Sequence, residues 1–88
     1  MDTTIPVKTV VYGLVINEEA KAYTQGALER ETLDDGVLND TLGGVRLRLS
    51  YSNGEVFVEN LTTKTEVVPA RMFWFAWEAF NSGTDLYQ

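Results

Sequence analysis

Hydrophobic and polar positions alternate most regularly in VRLRLSYSNGEVFVENL, residues 45–61. Val45, Leu47, Leu49 and Tyr51 take every second position, with Arg46, Arg48 and Ser50 between them. Successive side chains of a strand point to opposite faces, so the pattern predicts a half-buried strand. Asn53-Gly54 then supplies the two positive-φ residues that a type I′ hairpin turn requires. The turn sets a register in which Ser52 faces Glu55, Tyr51 faces Val56, Leu49 faces Val58 and Arg48 faces Glu59. Apolar side chains meet on one face and opposite charges on the other, as a properly registered hairpin demands.

A second hairpin is predicted in VVYGLVINEEAKAY, residues 10–23. Val10 to Ile16 are rich in β-branched and aromatic residues, and Ala20 to Tyr23 return after a turn at Asn17-Glu18. Glutamate there occupies a position suited to glycine, at a strain of about 1 kcal/mol for the left-handed conformation. Thr24 is placed to cap a short helix through Glu31, with Leu28 as its apolar anchor. Asp34-Asp35-Gly36 ends that helix, and Asn39 to Gly44 (NDTLGG) reads as a turn-rich link into the charged hairpin. Thr65 to Val68 reads as one more strand.

Pro69 opens ARMFWFAWEAF, residues 70–80, which holds both tryptophans and three of the four phenylalanines. Its Ala and Met content and the preceding proline predict a helix over the whole stretch. Wound at about 100° per residue, it puts Met72, Phe73, Ala76, Ala79 and Phe80 on one apolar side, with Trp77 at the edge. Arg71 and Glu78 mark the opposite side, flanked by Trp74 and Phe75. Phe73, Trp77 and Phe80 are thus expected in the core, whereas Trp74 and Phe75 are the expected interface residues. These elements make an α+β domain: an antiparallel sheet of about five strands (two hairpins plus one strand), carrying one short helix and the aromatic C-terminal helix.

Length and composition narrow the possibilities further. The 88 residues accommodate a single domain spanning the chain, with its core over roughly residues 8–87. At 44% hydrophobic and 23% charged, the chain has a globular composition. A net charge of −6 argues against nucleic-acid or anionic-lipid partners, which call for a basic patch. No apolar run approaches the ~20 residues that span a bilayer, so a soluble chain is expected.

The blocks VVYGLVINEEAKAY, GVLNDTLGG and FWFAWEAF…TDLY, in that order, resemble the prokaryotic domain-of-unknown-function family 3179 from about Val10 to Tyr87. The specific parts are the Asn-Asp-Thr-x-Gly-Gly and Phe-Trp-Phe-Ala-Trp blocks. This chain departs from the family pattern at Glu18, where the family has glycine, and at Thr24 and Gly83, where it has prolines. The cysteine-containing block and export signal of longer relatives are absent. The family has no established activity, so the resemblance implies a fold and no catalytic residue. It also implies a bacterial domain that sits beside or within a longer, exported protein.

The sequence has neither His nor Cys, which removes most nucleophilic triads, zinc sites and imidazole acid–base schemes. Carboxylates remain. Asp34, Asp35 and Asp40 with Asn39 and Thr41 are a candidate oxygen-ligand set for a hard cation such as calcium, although aspartates beside glycines commonly serve as turn formers. Gly43-Gly44 lacks the lysine, upstream glycine and helix of a phosphate loop. Two function classes follow. The first is a non-catalytic binding or interaction module of a longer prokaryotic protein, without cofactor, acting through Trp74 and Phe75 on a neighbouring segment of its parent or by weak self-association. The second is a small carboxylate- or metal-dependent hydrolase built on the acidic loop 34–41.

Overall fold

The computed structural model describes residues 6, 8–33, 36–81 and 83–87. Strands β1 (Val10–Ile16) and β2 (Glu19–Thr24) lead into helix α1 (Gln25–Glu31). Strands β3 (Val37–Leu42), β4 (Val45–Ser52), β5 (Glu55–Asn60) and β6 (Thr65–Val67) follow as a meander. The chain then runs through β7 (Ala70–Phe73), helix α2 (Trp74–Phe80) and β8 (Asp85–Tyr87). The α+β class holds, but the strands form two four-stranded sheets, ordered β7-β1-β2-β8 and β3-β4-β5-β6, in place of the expected single sheet of about five.

Turn chemistry sets three of the four hairpins among the described residues. Both central residues have positive φ at Asn17-Glu18 (51° and 68°), Gly43-Gly44 (59° and 79°) and Asn53-Gly54 (52° and 80°), as type I′ turns require. The β4–β5 register matches the sequence expectation at every pair, from Ser52↔Glu55 to Arg48↔Glu59. Thr24 caps α1, its hydroxyl accepting the Ala27 N–H at 3.1 Å, and Leu28 is fully buried.

Two expectations fail. Asn39 to Leu42 is not a link but part of β3, paired with β4 from Val37↔Ser50 to Leu42↔Val45, and only Gly43-Gly44 turns. The reason is alternation: Leu38 and Leu42 go into the core while Asn39 and Thr41 face water, which outweighs the poor strand propensity of Asn and Asp. The stretch 70–80 is likewise not one helix. Ala70 to Phe73 pair antiparallel with Gly13 to Val10, and the helix starts only at Trp74. Strand β1 is buried over Val11–Leu14, and without β7 one edge of it would keep unpaired backbone groups in an apolar setting. That penalty exceeds the helix propensity of Ala-Arg-Met.

The core lies in two layers on either side of the β7-β1-β2-β8 sheet. Tyr12, Leu14 and Tyr23 face Leu38, Leu42, Leu47, Leu49 and Val58 of the other sheet, with Leu28 of α1 among them. On the opposite face Val11 and Ala22 pack against Trp74 and Trp77 of α2. Gly13 makes this second layer possible, since a Cβ there would lie well under 3.0 Å from three ring carbons of Trp77. The order of layers is therefore helix, sheet, sheet.

Candidate functional site

Two groups of side chains stand out, one polar and one aromatic. The polar group forms because Lys21 and Tyr23 are alternate residues of β2 and share its inter-sheet face, which Asp40 approaches from β3. Lys21 Nζ lies 2.6 Å from Asp40 Oδ2, and the Tyr23 hydroxyl donates to the same oxygen at 2.7 Å. The Thr41 N–H donates to Oδ1 at 2.8 Å. Lys21 also sits over the rings of Tyr23 and Tyr87, which stack on each other with centroids 5.7 Å apart. Burial by itself would raise the Asp40 pKa, but the hydrogen bonds from Lys21, Tyr23 and Thr41 outweigh it and hold the carboxyl below its ordinary range. Burial, then the bond to the Asp40 carboxylate, pushes the Tyr23 phenol well above the usual tyrosine value.

This arrangement answers the cation-site expectation in part. Asp40 points inward while Asn39 and Thr41 lie on the exposed face of β3, so the three do not converge as ligands. Asp34 and Asp35 lie outside the described residues. Among the described residues, no group of three or more acidic side chains gathers in a way that could hold a metal ion. The cation that Asp40 receives is the ammonium of Lys21. With both carboxylate oxygens already engaged, the cluster ties β2 to β3 across the two sheets.

The aromatic group is at the corner where β7 passes into α2. Because the helix begins at Trp74, its phase differs from that of a helix begun at Ala70, and Trp74 and Trp77 turn inward at i and i+3. Trp74 is 1% exposed, so the expectation that it serves an interface is corrected: it is core. Its indole N–H meets no acceptor among the described residues, whereas that of Trp77 donates to Thr84 Oγ1 at 2.9 Å. Phe75 is 50% exposed, in line with its expected surface position. Phe73 and Phe80, expected in the core, are instead 44% and 81% exposed. Phe73 leaves the helix face because it belongs to β7, where it shares a side with Arg71. Phe73 and Phe75 stack with centroids 6.1 Å apart. Beside Phe73, the residues Val10, Arg71, Met72 and Ala76 line a shallow, mainly apolar depression of about 320 Å³.

Strand β7 is also an open edge of its sheet. The Trp74 N–H donates to the Thr9 carbonyl at 2.8 Å, which sets the phase of the β1–β7 ladder. Backbone groups alternate direction along an antiparallel pair, so those of Met72 face β1 and those of Arg71 and Phe73 face outward. Sequence reasoning missed this edge. The available signal was the alternation Ala70-Arg71-Met72-Phe73 directly after a proline, which a strand accommodates as readily as a helix.

No helix among the described residues is long and apolar enough to cross a membrane. Comparison with protein families, curated proteins and solved structures finds no match to this chain.

Proposed function

We propose that this protein is a non-catalytic interaction module of a longer prokaryotic protein, and that it binds through the β7–α2 corner. The observation that carries the reading is the stacked, half-exposed pair Phe73 and Phe75 beside an unpaired strand edge. Exposed aromatics next to free backbone donors and acceptors suit the capture of an extended segment: the backbone supplies hydrogen bonds and the apolar depression takes an alternate side chain. Completing the burial of two half-exposed phenylalanines would contribute about 1.5–3 kcal/mol in all. The placement in a longer, exported parent is supported by the resemblance to family 3179 and by no other observation. The hydrolase reading draws less support, since Asp40 is engaged by Lys21, Tyr23 and Thr41.

The test is titration of isotope-labelled protein with short synthetic peptides that alternate apolar and polar residues, followed by backbone NMR. Saturable shifts at Arg71, Phe73 and Phe75, lost in Phe75→Ser, are expected. Shifts confined to other surfaces, or none across the peptide set, would overturn the proposal.

A further inference from the structure

The chemistry of the four sheet edges separates them. Those formed by β3, β6 and β8 each carry a carboxylate, at Asp40, Glu66 and Asp85. Strand β7 carries none, and its charged residue is Arg71. In a chain of net charge −6, a second copy approaching β6 or β8 brings acid against acid, whereas at β7 it does not. At β3 the Asp40 carboxylate is already paired with Lys21. The local charge therefore favours β7 over β6 and β8 for self-pairing.

The register of β7 is also self-complementary. Its outward-facing backbone groups belong to Arg71 and Phe73, two residues apart, with Met72 between them. Antiparallel pairing of two β7 strands about a two-fold axis at Met72 sets Arg71 of each copy opposite Phe73 of the other. In that register each Phe73 N–H donates to an Arg71 carbonyl across the axis and each Arg71 N–H to a Phe73 carbonyl, forming four hydrogen bonds in two symmetric pairs. Directly opposed side chains share a face, so each guanidinium lies against the partner's phenyl ring, an attractive cation–π pairing. The Met72 side chains meet on the other face, near Ala76, where the apolar depression has room for them. The Phe75 rings, stacked on Phe73, lie against the same contact.

We propose that the occupant of the β7–α2 corner is a second copy of this chain, joined edge to edge so that two four-stranded sheets become one of eight strands. The contact is isologous and closes at the dimer. It deepens the interaction-module reading and rests on it. A four-residue edge is small, so the dimer is weak, and each copy's acidic charge opposes it until salt screens the repulsion.

Sedimentation velocity at rising protein and salt concentration, with amide hydrogen exchange on the same samples, tests the proposal. The expected result is a monomer–dimer equilibrium that strengthens with salt. Arg71 and Phe73 amides should slow as dimer forms, while the Met72 amide is protected throughout. Phe73→Lys should abolish association, and Arg71→Glu should weaken it strongly. Both positions are exposed, and a retained melting midpoint confirms that each variant still folds. A strict monomer at millimolar concentration in high salt overturns the proposal, as does a dimer whose Arg71 and Phe73 amides exchange freely. If peptides still shift the corner in a strictly monomeric protein, self-pairing alone fails. If neither peptides nor a second copy engage it, the interaction-module reading fails as well.

Discussion

Replacing Gly13 with alanine tests the packing of the helix-facing layer at its tightest point. Gly13 lies in β1 under α2, and an added Cβ would come well under 3.0 Å from three ring carbons of Trp77. Ordinary contact begins near 3.4 Å, so the indole must retreat by about 1 Å. Its freedom to do so is limited, because the indole N–H is bonded to Thr84 Oγ1 at 2.9 Å and the ring is 3% exposed. Overpacking of this kind costs about 1–3 kcal/mol. Alanine recovers about 0.5–1 kcal/mol by reducing the freedom of the unfolded chain. The expected net loss is about 1–2 kcal/mol, a sizeable share of the stability of a domain this small. With a urea m-value of about 1 kcal/mol/M, the midpoint should fall by about 1–2 M. A double-mutant cycle isolates the cause: in a Trp77→Leu background the ring is gone, and Gly13→Ala should cost little or even stabilise. A neutral effect in the wild type, or an equal loss in both backgrounds, would refute the proposed contact between Gly13 and Trp77.

The polar cluster predicts how stability changes with pH. The folded-state pKa of Asp40 is lowered, so its contribution is present above about pH 4 and is lost as pH falls through the folded value. That of Tyr23 is raised, so its contribution holds up to about pH 10 and is lost above it. Thermal melts across pH should show both limbs, and Asp40→Asn should flatten the acid limb while costing about 1–3 kcal/mol near neutrality, because Lys21 is left part-buried without its counter-charge. Glu18 adopts φ 68° in the first hairpin turn, so Glu18→Gly should raise stability by a few tenths to about 1 kcal/mol, despite the usual effect of adding glycine. A lower melting midpoint for that variant would show that the left-handed glutamate carries no strain.

Features set by neighbours along the chain were legible in the sequence alone. Asn53-Gly54 and the period-two alternation around it determine the β4–β5 register, because a one-residue slip would expose Leu49 and Val58 and bury Arg48 and Glu59. The turn at Asn17-Glu18 and the Thr24 cap were readable for the same reason: each depends on a few adjacent residues. What the sequence left undecided is which segment satisfies the far edge of β1. The stretch 70–80 suits a helix by composition, and only the need of a buried strand for a second partner draws Ala70–Phe73 into a sheet. That single decision resets the helix phase, buries Trp74, exposes Phe73 and Phe80, and creates the open edge at the candidate site. The Lys21–Asp40–Tyr23 cluster was hidden for a related reason: its members come from β2 and β3, at least 17 residues apart in the chain, and meet only when the two sheets pack face to face.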